Sequence, residues 1–175
     1  MTRLDFSEIA NWQLFEDLVA QYFREIKDLE DNNLTEVQVI NSGSGPDGGV
    51  DIILNFRVND SIVSYQRNWI IQCKFYDNLK KSNLDKLNIT TLIDEYEASG
   101  YLLICKNTVS SGVINQFARL KNNCRRDYHY EIWDGSFFIK KLYKTTDLHE
   151  HYFPEFFKYK TKKAENVNLK SILPE

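Results

Sequence analysis

Two neighbouring stretches decide the fold of this chain: GSGPDGGVDIILNF at Gly43–Phe56 and WIIQCKFY at Trp69–Tyr76. Each contains a short apolar run bounded by turn-forming residues, a pattern that predicts a buried β-strand. Each also carries polar groups that a purely structural strand would avoid, namely Asp51 in the first and Gln72 and Lys74 in the second. Because side chains on a strand alternate between its two faces, Gln72 and Lys74 point to the same side of the sheet.

This acid, amide and lysine need polar partners, because an unpaired charge buried in a sheet is costly. If the two strands pair, the three side chains meet on one face, where they satisfy one another or bind a metal ion and a phosphate. A carboxylate binds Mg²⁺, which polarises a phosphate and lowers the pKa of bound water. A nearby lysine stabilises developing negative charge or orients the attacking water. The set therefore predicts phosphodiester hydrolysis, with the amide oxygen of Gln72 and the backbone carbonyl of Cys73 as further metal ligands.

The rest of the chain predicts a mixed α/β domain. Period-2 and apolar runs predict strands, and three- and four-residue apolar spacing predicts helices. The early strands are close in sequence and are expected to pair antiparallel, whereas helical crossovers lead to the later ones. The predicted strands are Thr35–Asn41, Val50–Val58, a short edge piece at Ile62–Tyr65, Trp69–Tyr76, Tyr101–Lys106 and Tyr128–Trp133. The predicted helices are Asn11–Lys27, Ser82–Ala98, Val113–Arg126 and one that follows Asp134, and the aromatic segment Tyr152–Tyr159 is expected to dock on the core.

Composition limits the possible partners. The formal net charge is −3, so a nucleic-acid partner requires a local basic patch rather than a generally basic protein. The polar face of the third predicted helix offers such a patch. It either contacts phosphates or is a solvated helix face. Its residues are Arg119, Lys121, Arg125 and Arg126.

The domain organisation and the compartment follow from simpler features. Residues 1–160 are predicted to form one domain, and residues 161–175, which lose periodicity, a tail or linker. The three cysteines form no CxxC pair, which disfavours a structural zinc site and fits a reducing cytosol. We see no signal peptide and no apolar run near the roughly 18 residues of a membrane span. A cytoplasmic location without a membrane segment is therefore expected.

Two features each permit two interpretations. The glycine-rich loop Ser42–Gly49 is either a tight turn or a loop whose backbone approaches a phosphate, with Asp47 at its tip. Glu16 lies at the edge of the apolar stripe of the first helix, beside Phe15. From spacing alone it is either a solvated surface residue or part of a site.

The order of these motifs resembles that of a known family. GPDGGVDIIL and WIIQCKFY, preceded by a helix carrying FEDLV, are similar to the Mrr-like branch of the PD-(D/E)xK nuclease superfamily over roughly residues 11–134. The resemblance implies a restriction-endonuclease-like mixed sheet flanked by helices and Mg²⁺-dependent DNA cleavage, with Mn²⁺ as a substitute. It assigns Asp51 as the metal-binding acid, Glu16 as the helix acid that completes the metal shell, Lys74 as the catalytic lysine and Asp47 as an accessory acid. Gln72 stands where many members have glutamate.

The leading hypothesis is therefore a metal-dependent DNA endonuclease that acts as an effector in restriction or anti-phage defence. A homodimer or larger assembly, and a sensor or recognition module on this or another chain, are its expected partners. The first alternative is a catalytically inactive module of the same fold that binds nucleic acid. The second is an interaction domain in which Asp51 and Lys74 form a structural pair, although such buried pairs are often poor stabilisers.

Overall fold

A five-stranded sheet in the order β1-β2-β3-β5-β7 forms the centre of the molecule. The structure is a computed structural model that describes residues 3–26, 33–42, 49–124 and 126–172, and all side chains in these ranges except those of 146 and 165–172. The sheet strands are β1 (Leu34–Asn41), β2 (Ile52–Asn59), β3 (Ser64–Lys74), β5 (Gly100–Cys105) and β7 (His129–Trp133). Two short strands, β4 (Asn78–Leu79) and β6 (Thr108–Val109), pair with each other beside it.

The sheet is mixed, as the sequence predicted. β1, β2 and β3 pair antiparallel, and β5 and β7 then continue the sheet parallel to β3. In this register Lys74 lies opposite Cys105, and Ile104 lies opposite Trp133. The carboxyl ends of β3, β5 and β7 therefore share one edge of the sheet, and the polar residues that end β3 lie on it.

Helices cover both faces of the sheet. One face packs against α1 (Trp12–Glu25), α4 (Gly135–Leu142), α5 (Thr146–Tyr152) and the beginning of α6 (Pro154–Ile172), and the other packs against α2 (Ile89–Glu95) and α3 (Ser111–Asn123). β5 is buried along its whole length. Leu102 and Ile104 face the first layer, and Tyr101 and Leu103 face the second. This double burial explains why YLLIC is a continuous apolar run.

Short polar side chains begin two of the helices where the sequence predicts them. The Asn11 side chain accepts a hydrogen bond from the Leu14 amide at 2.9 Å, and Asp134 accepts one from the Phe137 amide at 2.8 Å. Each side chain satisfies an amide that has no acceptor within its own helix. The first bond fixes where α1 begins, and α1 is the helix that carries Glu16.

The predicted helix Ser82–Ala98 is wrong in its first half. The chain forms a 3-10 turn at Lys81–Asn83, and α2 begins only at Ile89, after Asn88 accepts a hydrogen bond from the Thr91 amide. Leu84 is buried in the layer beneath this segment without being helical. Apolar spacing alone therefore suggested a longer helix than the chain forms.

The predicted separate edge piece at Ile62–Tyr65 is also wrong, because Ser64–Lys74 is one long strand. The Asp60 carboxylate accepts hydrogen bonds from the amides of Ile62 and Val63, both at 2.7 Å. These bonds make a compact turn, so that β2 and β3 pair down to Asn59 and Ser64.

The aromatic segment near the end of the chain docks on the core as predicted, since Tyr152, Phe153 and Phe156 are buried. The chain continues as helix α6 to Ile172, through the region predicted as a tail. The boundary at residue 160 stays a prediction. Among the described helices, none is both long and apolar enough to cross a membrane.

The packing of Gly135 predicts a strong stability effect. A Cβ added there would lie 2.1 Å from the Lys106 carbonyl oxygen, and backbone cannot move aside easily. We expect Gly135→Ala to lower the free energy of unfolding by about 2 kcal/mol. Gly112→Ala is the matched control, since its Cβ would meet only side-chain atoms at ordinary contact distances, Cβ of Lys81 at 3.4 Å and Oγ of Ser110 at 3.9 Å. It should change stability by less than about 1 kcal/mol. Urea denaturation of both variants measures the difference, and equal effects would contradict this account.

Candidate active site

Asp51 is held in place from both sides at the start of β2. Its amide donates to the Ile71 carbonyl at 2.9 Å, and its carbonyl accepts from the Ser42 amide at 3.0 Å. Its carboxylate oxygen Oδ2 accepts a hydrogen bond from the Cys73 amide at 2.6 Å. One carboxylate oxygen is thus used to join β2 to β3, and Oδ1 takes no part in that bond.

Lys74 is the last residue of β3 and is half-buried. Its carbonyl accepts from the Lys106 amide at 2.9 Å, which fixes the end of the strand against the residue that follows β5. Cys73 packs into the layer beneath α1, whereas Gln72 contacts Tyr101 in the opposite layer. The predicted alternation of faces is confirmed for Gln72 and Cys73.

Helix α1 brings Glu16 to the same place. The Phe15 ring packs against the Phe75 ring with centroids 5.8 Å apart, so the helix is anchored to the residue that directly follows Lys74. Glu16 is half-buried, and Asp51 and Lys74 are the charges that act on its carboxyl group. The structure therefore brings together Asp51, Lys74 and Glu16. Glu16 is therefore not a fully solvated surface residue, and its membership of the site stays a prediction.

The pKa values of both carboxyl groups in the site are raised, chiefly by burial. Burial and, secondarily, the charge of Asp51 raise the pKa of Glu16 from 4.5 to about 7, although the Lys74 ammonium opposes the shift. Burial also raises the pKa of Asp51, against the opposing effects of the Cys73 amide and Lys74. Two partly buried like charges repel each other, so the arrangement is suited to a bound cation.

The donor set fits Mg²⁺ better than it fits zinc. Mg²⁺ is usually bound by one or two carboxylates and keeps several waters, and Asp51 and Glu16 supply that number. Over the described ranges, no group of three or more His, Cys, Asp and Glu side chains could hold a metal. Burial raises the pKa of the Cys73 thiol well above its ordinary value, so this residue can offer only its carbonyl. Asp47 lies outside the described residues.

Gln72 has a hydrogen-bond partner that the sequence did not predict. Its amide oxygen, predicted to bind the metal, accepts a hydrogen bond from the Tyr101 hydroxyl at 2.7 Å. Gln72 is 1% exposed and Tyr101 is fully buried. Sequence reasoning missed Tyr101 because an aromatic in a continuous apolar strand is normally a core residue. The only sequence signal that could have indicated it is Gln72 on the adjoining strand. Gln72 lies opposite Leu103, two residues after Tyr101.

Of the basic residues predicted to bind phosphate, Arg126 lies towards the opposite edge of the sheet. Arg126 precedes β7, whereas Lys74 lies level with the other end of that strand. Arg126 pairs with Asp94, and Lys121 pairs with Glu131 at 2.9 Å. Arg119 is exposed and has no ion pair among the residues that the structure describes. Arg125 lies outside them.

A family comparison identifies the class of protein. The profile of the Mrr catalytic-domain family, described as restriction endonuclease, matches residues 8–141. The match spans well over half of the chain, so the chain belongs to this family. The resemblance inferred from the sequence motifs is confirmed. No curated protein matches the chain.

Two solved structures are similar to the chain. The MspJI restriction endonuclease in complex with a 27-mer oligonucleotide has 15% identity and a TM-score of 0.50, over 75% of this chain and 28% of that chain. The DNA modification-dependent restriction endonuclease AspBHI has 13% identity and a TM-score of 0.43, over 81% of this chain and 38% of that chain. The likeness to MspJI confirms the restriction-endonuclease-like α/β fold. The chain spans well under half the length of either protein.

The raised pKa of Glu16 predicts a pH-dependent stability in the absence of metal. Glu16 binds its proton more tightly in the folded chain, with a pKa of about 7 against 4.5, so stability is lost as the pH rises through this window. Glu16→Gln removes that loss. Its melting temperature in EDTA should exceed that of the wild type by more at pH 8 than at pH 5. Glu95→Gln, which removes an exposed carboxylate from α2, controls for net charge. An equal gain at both pH values would contradict the assignment.

Proposed function

We propose that this chain is a metal-dependent DNA endonuclease, the effector domain of a restriction or anti-phage defence system. One observation carries the proposal. The charge of Asp51 raises the pKa of the Glu16 carboxyl group, and the Lys74 ammonium lowers the pKa of both carboxyl groups, at the carboxyl edge of the sheet. Membership of the restriction endonuclease family supports nuclease chemistry at this edge.

The proposed metal ligands are Asp51, Glu16 and the backbone carbonyl of Cys73, with Mg²⁺ as the cofactor and Mn²⁺ as a substitute. When bound, such a cation polarises the scissile phosphate and lowers the pKa of bound water. The Asp51 carboxylate is already fixed through Oδ2, so the metal would meet an oriented ligand. Asp47 remains a predicted accessory acid.

Lys74 is proposed as the catalytic lysine. Its ammonium lowers the pKa of both carboxyl groups, which supports a position near them. In that position it stabilises negative charge that develops on the phosphate or orients the attacking water. The fixed end of β3 holds the lysine backbone rigid, as such a role requires.

DNA is the proposed partner. MspJI has an oligonucleotide bound in its solved structure, and we extend that partner class to this chain. Cleavage of both strands by one site per chain would need two copies, so we propose a homodimer or larger assembly. A sensor or recognition module on this or another chain and a cytoplasmic location complete the proposal. The three free cysteines fit a reducing compartment.

The proposal predicts metal-dependent cleavage that needs both Asp51 and Lys74. Purified chain should nick supercoiled plasmid with Mg²⁺ or Mn²⁺ and not with EDTA. Lys74→Ala should slow nicking by about a hundredfold or more, because it removes charge stabilisation from a pre-organised site. Asp51→Asn, which removes a metal ligand, should slow it at least as much. The readout is the rate of loss of supercoiled DNA on a gel.

Lys158→Ala is the matched control, because it removes a lysine that is 66% exposed on α6. It should cut at the wild-type rate. A folded Lys74→Ala variant that also cuts at the wild-type rate would remove the assignment of Lys74. DNA binding without cleavage under any metal condition would favour the inactive binding module instead.

The positions of the basic residues predict unequal contributions to DNA binding. Arg119 has no carboxylate partner in the described residues, whereas Glu131 already neutralises Lys121. If α3 contacts phosphate, Arg119→Ala should reduce the slope of log affinity against log salt by about one, and Lys121→Ala should reduce it less. Fluorescence anisotropy with duplex DNA in EDTA measures this slope. An unchanged slope in both variants would indicate a solvated helix face.

A further inference from the structure

Tyr101 and Gln72 form a buried polar pair next to the proposed metal site. The two side chains lie on neighbouring parallel strands, with Tyr101 opposite Ile70 and Gln72 opposite Leu103. The phenol reaches diagonally across this face and donates to the Gln72 amide oxygen at 2.7 Å. Tyr101 is 0% exposed and Gln72 is 1% exposed, so water cannot easily replace either partner.

This hydrogen bond has a defined direction. Burial raises the pKa of Tyr101 well above its ordinary value, so the phenol keeps its proton and donates it. A glutamine amide has one oxygen that accepts and one nitrogen that only donates. The oxygen therefore faces Tyr101, and the nitrogen is turned the other way.

The nitrogen faces the segment that leads into Asp51. A Cβ built on Gly49 would lie 2.7 Å from Nε2 of Gln72 and 2.3 Å from Cδ2 of Leu87. The Gln72 amide thus lies directly against the Gly49 backbone, two residues before the proposed metal-binding acid. Gly49 has a φ of +107°, a conformation that favours glycine, so the chain takes a special shape at this contact.

We propose that Tyr101 is a positioning residue, which holds Gln72 with its amide nitrogen towards the Gly49–Asp51 segment. Gln72 then supports that segment as a hydrogen-bond donor and is not a metal ligand. The protein ligands are reduced to Asp51, Glu16 and the Cys73 carbonyl. This inference rests on the proposed nuclease function and assigns a role to a tyrosine that sequence reasoning treats as core.

Metal binding without DNA separates this role from direct ligation. Calorimetric titration of the metal-free chain with Mn²⁺ should give Gln72→Met an affinity within about threefold of the wild type. Asp51→Asn should lose at least about tenfold, the size of effect expected for a metal-site residue. If Gln72→Met weakens Mn²⁺ binding as strongly as Asp51→Asn does, the Gln72 oxygen is a ligand and the proposal is wrong.

A double-mutant cycle tests whether Tyr101 acts through Gln72. Tyr101→Phe and Gln72→Met should each slow single-turnover plasmid nicking about tenfold, and the double variant should be no slower than the slower single variant, since residues in one network do not add. Melting temperatures of all variants identify loss of fold. Tyr101→Phe that melts earlier but nicks at the wild-type rate would reduce Tyr101 to a structural residue. Multiplying effects would also overturn the proposal.

The proposed metal site and the proposed role of Tyr101 are overturned by different results. A wild-type chain that neither binds Mn²⁺ nor nicks DNA would overturn the metal site, and the role of Tyr101 with it. A wild-type chain that does both, with Gln72→Met deficient in Mn²⁺ binding, would overturn only the role of Tyr101. Phenylalanine keeps the ring that fills the core, so Tyr101→Phe isolates the hydroxyl.

Discussion

The hydrogen bond from the Cys73 amide to Oδ2 of Asp51 is the interaction on which the site depends. Backbone pairing between β2 and β3 reaches Ile52 and Ile71, and the Asp51 amide adds one more bond to the Ile71 carbonyl. The Cys73 amide faces the same side as Ile71 but lies beyond the start of β2. Oδ2 of Asp51 lies 2.6 Å from this amide nitrogen and accepts the hydrogen bond that a backbone carbonyl of a longer β2 would accept. A charge-assisted bond of this kind is about twice as strong as a neutral one.

That substitution connects folding with chemistry. The Asp51 carboxylate makes the last hydrogen bond between β2 and β3, so it cannot move without opening the end of the sheet. The charge of Asp51 acts on Glu16, the Lys74 ammonium acts on both acids, and burial raises the pKa of both carboxyl groups. The resulting repulsion is tolerated because apolar layers pack on both faces of the neighbouring strand β5. A stable core thus supports a locally unfavourable cluster, as is common where strained or repulsive groups serve a function.

The sequence predicted the parts of this arrangement that depend on local periodicity. Alternation along β3 placed Gln72 and Lys74 on one face, and turn residues bounded the strands. Partnerships between distant residues could not be predicted in this way. Asp94 reaches Arg126 and Glu131 reaches Lys121 only in the folded chain, so a helix face that looked freely basic is partly neutralised. Tyr101 was missed for the same reason, since its partner lies on another strand.

Burial at position 72 disfavours a charged residue there. Asp51 and Glu16 together carry two negative charges when ionised, and Lys74 offsets one of them. A glutamate at position 72 would add a third carboxylate in a place that is 1% exposed, where an unpaired charge is costly. Glutamine has nearly the same shape, keeps an oxygen for the Tyr101 hydroxyl and adds a donor that faces the Gly49 backbone. The position between Tyr101 and Gly49 therefore favours a neutral residue, because a charged one would need a further cation to pair with it.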